Sequence, residues 1–385
     1  MQHPTSRPVV DDSHDGSQTE LLEFASKIFV PLMMLIYSTY RKLRNFSTQQ
    51  ETSALNSSSQ RSSSSLAKAL EFRYAWHKIN QYNEIFQPFM HLIEPSVCTK
   101  KKHATMLLYL TVPPDQDGFT IRNLIRNTWA TEAKHNDIEV IFSIGIRTEA
   151  ELYHTSGTDA IFEESLQFQD ILMANFVDKW DNLLLKWWSN NYYHSSRCSQ
   201  IPLMASMDSD AVLFGENLKK FLDNPSNTFD GYLGCTILSK QPIIRDNSDR
   251  YYVSELQWPG EVLPDYCSGT MIIENVQACK KISYVMPQLG IHYITGFRIF
   301  DVLTGPVAQA AGLKLRNIPG IQPWLPVDDI CHPHILVIHS VEAKKLAALS
   351  YYRQQCCNEY NKYRKCPFNG TINFNFMSSN SGALV

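Results

Sequence analysis

The sequence has almost no charge to spare: 35 lysines and arginines against 38 aspartates and glutamates leave a net −3. A chain so balanced has no general field to draw in a polyanion, so nucleic acid is excluded as a partner short of a local basic patch. No Cys-x-x-Cys pair occurs, which removes support for a treble-clef or zinc-ribbon site. No Gly-x-Gly-x-x-Gly is present, so a dinucleotide fold lacks its fingerprint, and no Gly-x-Ser-x-Gly marks a hydrolase elbow. Internal repeats are absent too. The nine cysteines are too few for a disulfide-dense miniature scaffold, and their odd number leaves at least one thiol free or paired between chains. What remains is ordinary globular material, 44% apolar and 19% charged, which excludes wholesale disorder.

Long apolar runs are scarce as well. Residues 1–20 are polar and acidic and have no apolar period. Residues 21–40 (LLEFASKIFVPLMMLIYSTY) are the candidate signal-anchor helix, long enough to cross a bilayer at about 1.5 Å per residue. Glu23, Lys27 and Pro31 interrupt the segment, and its clean apolar core from Ile28 to Tyr37 equally suits a buried helix. Arg41, Lys42 and Arg44 follow it while Asp11, Asp12, Asp15 and Glu20 precede it, a placement that opposes a luminal C-terminus. Residues 41–66 include a serine-rich tract that reads as a flexible linker or a stem. Residues 67–100 carry helical spacing up to residue 95 and are expected to pack as a helix ahead of the main domain. Asn45, Asn56 and Asn369 sit in glycosylation triplets.

Residues 101–385 alternate short apolar runs with helical patterns. Strands are expected at 104–112, 138–145, 201–210 and 269–275, and helices at 121–133, 183–194 and 216–223. The alternation predicts one α/β domain with a mainly parallel, twisted, helix-covered sheet. The most informative stretch is Met204-Ala-Ser-Met-Asp208-Ser-Asp210. Residues two apart on an extended chain point the same way, so Asp208 and Asp210 can converge on one hard divalent cation. A strand's C-terminal end in an α/β sheet is also where ligands bind. The alternative is a turn whose Asp-Ser-Asp caps the helix around Glu216.

Other segments fall into a recognisable order. Arg122-Asn-Leu-Ile-Arg126-Asn-Thr-Trp129 follows the first strand. Phe168-Gln-Asp170-Ile-Leu and Phe176-Val-Asp178 come next, then the Asp208/Asp210 pair, then Tyr266-Cys-Ser-Gly269-Thr, and finally Phe300-Asp301-Val302. Over residues 104–345 this order resembles the inverting β-1,3-galactosyltransferase and β-1,3-N-acetylglucosaminyltransferase family, to which the fringe proteins are related.

The resemblance implies a single GT-A-like nucleotide-sugar transferase domain behind a membrane anchor and stem. It further implies transfer of galactose or an N-acetylhexosamine from a UDP-sugar to a hydroxyl of a glycan acceptor on protein or lipid. The expected setting is the Golgi membrane, in a single-pass type II protein whose catalytic domain is luminal, as part of protein or lipid glycosylation. It assigns Asp208 and Asp210 to Mn²⁺ (or Mg²⁺), with Asp208 also at the donor, and His339 as the late histidine that completes the metal site. His332 and His334 compete for that role, and an edge-strand histidine is the bland alternative for His339. Asp301 is assigned as the catalytic base, against a helix-capping aspartate. Arg122 and Arg126 are candidate nucleotide contacts, because guanidinium forks suit phosphate; one exposed helix face explains the spacing as well. Gly269 would let backbone approach the donor or acceptor sugar. Lys186 reads as structural.

This chain departs from the family pattern at three places. Ser209 stands where many relatives have a third Asp, Phe300 replaces an acidic residue before the base, and Ala211 lengthens the segment after Asp210. A divergent enzyme fits these changes; a catalytically silent carbohydrate-binding or chaperone-like relative is the alternative.

Overall fold

The structure is a computed structural model that describes residues 91–100, 103–147, 159–288, 297–339 and 341, together with 345, 349, 352, 353, 357 and 368. All of them fall within one compact unit, Phe72–Val385. The candidate anchor and stem, residues 67–90, and the triplets at Asn45, Asn56 and Asn369 lie outside the described residues. Among the described residues no helix is long and apolar enough to cross a membrane.

The chain enters as β1 (His91–Ile93) and α1 (Val97–Lys100), then forms β2 (Met106–Thr111), α2 (Gln116–Arg126), α3 (Trp129–His135) and β3 (Ile138–Ile146). Next come α4 (Asp159–Phe168), β4 (Ile171–Val177), α5 (Leu183–Arg197), β5 (Leu203–Asp208), β6 (Val212–Leu213) and α6 (Gly215–Asp223). β7 (Tyr232–Cys235), β8 (Ile237–Leu238), β9 (Tyr266–Cys267), β10 (Met271–Asn275) and α7 (Val276–Val285) follow. The last elements are α8 (Phe300–Ala310), β11 (Lys314–Asn317), β12 (Ile321–Gln322) and β13 (Val337–Ile338).

Eight strands form the central sheet in the order β1-β4-β3-β2-β5-β10-β7-β11. β2, β3, β4 and β5 are parallel; β1 and β10 run against their neighbours. Because β7 is antiparallel to β10 and parallel to β11, six of the eight strands share one direction. This mixed α/β domain with a large central sheet fits the GT-A-like expectation. β2 is apolar at nearly every position, as a strand covered on both faces must be. Met106, Leu108 and Leu110 enter one core, while Leu107 and Tyr109 enter another on the opposite face.

Two expectations change. Residues 91–100 are not the end of a pre-domain helix, since His91–Ile93 is an edge strand paired with β4. Its tether is the Cys98–Cys198 disulfide, which joins α1 to the residue after α5. The helix expected over 121–133 is two helices. Thr128 leaves helical geometry at φ −125°, and its hydroxyl donates back to the Leu124 carbonyl at 2.7 Å. The chain can then turn so that Trp129 is buried at 1% exposure.

The helix α5 is buried nearly all round, polar residues included. Asn190 accepts from Ser143 Oγ at 2.6 Å and donates to Ser206 Oγ at 3.3 Å, fixing the helix to β3 and β5 by satisfied polar contacts rather than by grease alone. Lys186 Nζ donates to Asp178 at 2.8 Å and to the Val112 carbonyl at 3.2 Å. The reading of Lys186 as structural agrees with that placement. Further disulfides join Cys235 to Cys267 and Cys331 to Cys357, and Cys279 is a buried free thiol.

Candidate metal and transfer site

The parallel strands set the location. β5 ends at Asp208, whose backbone pairs with Thr111 at the end of β2. From β2 the chain steps outward to β3 and β4 on one side and then returns to lay β5 on the other side of β2, so the strand order reverses there. A crevice at the carboxyl ends of strands beside such a reversal is the usual ligand position in open α/β sheets.

A second, three-stranded sheet, β12-β13-β6, brings the distant partner. β13 pairs antiparallel with β6, Val337 opposite Leu213 and Ile338 opposite Val212, and Val341 N–H donates to the Asp210 carbonyl at 2.8 Å. The residue after β13 is His339. Its Nε2 lies 3.1 Å from Asp210 Oδ1 and 3.5 Å from Asp208 Oδ2. One ligand atom from each of Asp208, Asp210 and His339 lies within 4.8 Å of the others. The imidazole is held from behind, since Nδ1 donates to the Pro323 carbonyl at 3.1 Å. A carbonyl accepts only, so the proton is fixed on Nδ1 and Nε2 faces the carboxylates, as in metal-ligating histidines. His332 and His334 are outside this group. The capping alternative for the Asp pair does not hold: α6 is preceded at its N-cap by Phe214, with no side-chain cap bond.

β10 brings the fourth group. Its antiparallel register puts Met271 opposite Met207, so the turn Ser268-Gly269-Thr270 stands beside the end of β5. Gly269 N–H donates to Asp301 Oδ2 at 2.8 Å, and Asp301 comes from the first turn of α8. A Cβ on Gly269 would lie 2.7 Å from Asp301 Oδ1, so the glycine is there to admit that carboxylate. α8 packs just as closely at the start of β9, where a Cβ on Gly305 would meet the carbonyl oxygen of Asp265, the residue before the strand, at 2.0 Å.

The electrostatics are those of a site short of positive charge. Burial and then the charge of Asp301 push Asp208 up to about 7, against the pull of His339. Burial raises Asp301 to about 6, opposed by the Gly269 N–H and by His339. For His339 burial favours the neutral ring, but the hydrogen bond and charge of Asp210, aided by Asp208, outweigh it and raise the imidazole to about 9.

Arg122 and Arg126 are placed elsewhere. Arg122 is 1% exposed and gives Nε and Nη2 to Glu164 at 2.8 and 2.6 Å, and Nη1 to the Pro113 carbonyl. Arg126 forks onto Asp170 at 2.8 and 2.7 Å and lines a cavity of about 460 Å³ with Glu139, Val140 and Asp170. Glu139 and Val140 begin β3 and Asp170 precedes β4, so this cavity lies at the opposite end of the parallel strands from Asp208. The structure therefore corrects the expected nucleotide contact: carboxylates of the protein already occupy both guanidinium forks. Glu164 carries no motif and lies 42 residues from Arg122, so nothing in the sequence announced it. Tyr266 was visible only as part of the turn, yet its hydroxyl feels Asp301. Burial, then Asp301 and Tyr251, raise it to about 12.

The family model described as Galactosyltransferase matches residues 120–319, more than half of the chain. The chain belongs to the galactosyltransferase family. Among its relatives, a lactosylceramide 1,3-N-acetyl-beta-D-glucosaminyltransferase of Xenopus tropicalis is 27% identical over 220 residues, 56% of this chain and 57% of that protein. An acetylgalactosaminyl-O-glycosyl-glycoprotein beta-1,3-N-acetylglucosaminyltransferase of Mus musculus is 24% identical over 246 residues, 61% of each chain. The beta-1,3-galactosyltransferase 2 of Homo sapiens is 27% identical over 292 residues, 72% of this chain and 64% of that protein. The chain thus spans about three fifths of the length of the curated relatives it matches. In this galactosyltransferase-family domain the matched stretch includes Asp208, Asp210, Gly269 and Asp301 but ends before His339. The place of His339 in the cluster is a result of geometry.

Proposed function

We propose that this chain is an inverting, metal-dependent hexosyltransferase that moves galactose or an N-acetylhexosamine from a UDP-sugar to a glycan hydroxyl, forming a β-1,3 linkage. The observation that carries it is the convergence of Asp208, Asp210 and His339 on one point, with Asp301 beside them. Two carboxylates and one imidazole are a donor set suited to Mn²⁺ or Mg²⁺, and the Nδ1–H anchor on Pro323 leaves Nε2 directed at the shared point. These three residues would hold the cation. When bound, it supplies Lewis-acid stabilisation of the charge that develops on the departing diphosphate.

The chain's own work is at the acceptor. As the acceptor oxygen bonds to the anomeric carbon and the bond to the UDP oxygen breaks, the hydroxyl proton passes to Asp301. A carboxyl raised to about 6 is ionised at neutral pH and still more basic than a free aspartate, which suits a general base. The Gly269 N–H holds Oδ2 and so orients the carboxylate.

The UDP-sugar donor and a glycan acceptor on protein or lipid are the partners in this reading. The three disulfides among the described residues support a luminal, oxidising setting. In this reading the chain is a type II Golgi membrane protein anchored through residues 21–40.

The test uses the full chain with Mn²⁺ and UDP-galactose, UDP-N-acetylglucosamine or UDP-N-acetylgalactosamine, following UDP release with a panel of acceptors. Release that one sugar supports and a chelator stops is the expected result; none with any pair sinks the reading. Asp210→Ala should remove the metal dependence of UDP binding, and affinity that stays metal-responsive in that variant overturns the site.

A further inference from the structure

Trp180 stands just past the carboxyl end of β4, the same end of the parallel strands at which Asp208 closes β5, and is 46% exposed. Tyr251, on the long segment between β8 and β9, is 37% exposed, and the two rings lie 6.3 Å apart at 64°. The Arg250 guanidinium lies between them, 4.9 Å from the Trp180 centroid and 4.5 Å from that of Tyr251, and donates to the Tyr251 hydroxyl. Large aromatics left open on a surface need an explanation when they are clustered and held in place.

These are held in place. Arg245 gives its donors to the carbonyls of Val253, Trp258 and Gly260 at 2.7–2.8 Å, tying the segment into a closed loop. Tyr251 N–H donates to Asp249 Oδ1 at 2.7 Å. On the other side, Asp178, two residues before Trp180, accepts from Lys186 and from Gly145 N–H.

We propose that Trp180, Arg250 and Tyr251 form a stacking platform for a pyranose ring of the acceptor glycan. Aromatic faces are electron-rich and attract the polarised C–H face of a sugar ring, while a pinned guanidinium offers N–H donors to its hydroxyls. Asp181, Asp246 and Asp249 are near in sequence, so the surface is not built for an anion. Its position favours the acceptor over the donor. The segment that carries Tyr251 leads into β9, whose Cys267 N–H donates to Thr304 Oγ1 at 2.9 Å on α8, the helix that carries Asp301, so the chain bearing the platform runs on to the group that takes the acceptor proton. The acceptor role rests on the transferase reading above; carbohydrate binding at the platform does not.

The experiment titrates the full chain, with UDP and Mn²⁺ present, with lactose, N-acetyllactosamine and the methyl β-glycosides of galactose and N-acetylglucosamine, read by saturation-transfer NMR. At least one should bind. Trp180→Ala and Tyr251→Ala should each weaken it about 10-fold, with Trp180→Phe near wild type and UDP affinity unchanged. Three outcomes overturn the platform: no sugar binds, the alanine variants bind as well as wild type, or UDP binding and thermal midpoint fall together with sugar binding. Sugar binding that behaves as stated in a protein that turns over no UDP-sugar rejects the transferase reading and leaves the platform standing.

Discussion

Two clusters of charge in this domain are built on opposite plans. At one, Arg122 and Arg126 face Glu164 and Asp170, cation for anion, in bidentate contacts of 2.6–2.8 Å. At the other, three carboxylates, Asp208, Asp210 and Asp301, face the His339 imidazole, with Lys186 adding a weaker pull on Asp208. The shifts run accordingly. Burial alone would raise Glu164, but its hydrogen bonds and charge contacts with Arg122 and Arg126 outweigh it and hold the carboxyl below its usual range. Asp208 and Asp301 are pushed above theirs. A cluster whose charges cancel is finished as it stands and serves as scaffold. One with an unanswered surplus is incomplete without a ligand.

The contrast is open to direct attack. Asp301→Asn removes the surplus cluster's base, and transfer should fall about 10²–10⁴-fold with the thermal midpoint unchanged or higher. A steady-state rate measured beside a melting curve checks it, and a variant that melts early with normal turnover would reverse the assignment. Arg122→Ala should do the opposite. It leaves the buried Glu164 to Arg126 alone, so urea unfolding should show a loss of up to about 3–5 kcal/mol, while the folded fraction still binds metal and UDP. A smaller effect comes from Glu274, fully buried and raised to about 8 by that burial, against hydrogen bonds from Trp187, Cys279 and Asn191. The unfolded chain ionises this group near 4.5 while the folded chain keeps it neutral until about 8, so its contribution to stability drains away as pH rises between those values. Glu274→Gln should therefore unfold at a midpoint that gains on wild type from pH 5 to pH 8. Parallel curves would mean that Glu274 is ionised in the fold.

The legible part of this molecule was its strand-borne chemistry. Asp208 and Asp210 stand out as a pair closing an apolar strand, but β5 ends at Asp208 and Asp210 sits in the following turn, held there by the Val341 N–H on its carbonyl rather than by a strand's two-residue period. The apolar runs of β2, β3 and β5 gave the parallel half of the sheet. His339 and Asp301 were reachable only through resemblance, because a two-residue strand and a helix start carry no period of their own. Arg122 and Arg126 misled for a physical reason. A guanidinium that binds phosphate and one that binds a buried carboxylate are the same group in sequence, and the difference lies in Glu164, which only the fold brings near. His91–Ile93 misled because three residues cannot show whether their period is helical or extended.

The pairing of β13 with β6 has a consequence for how the protein is made. Asp210 emerges from the ribosome long before His339, yet the two are joined through neighbouring positions of one small sheet. A chain interrupted after β5 but before that second strand can hold β2 to β5 and still lack the imidazole. In the proposed reading, cation binding is thus a test of completion: only a molecule translated past residue 339 can answer it.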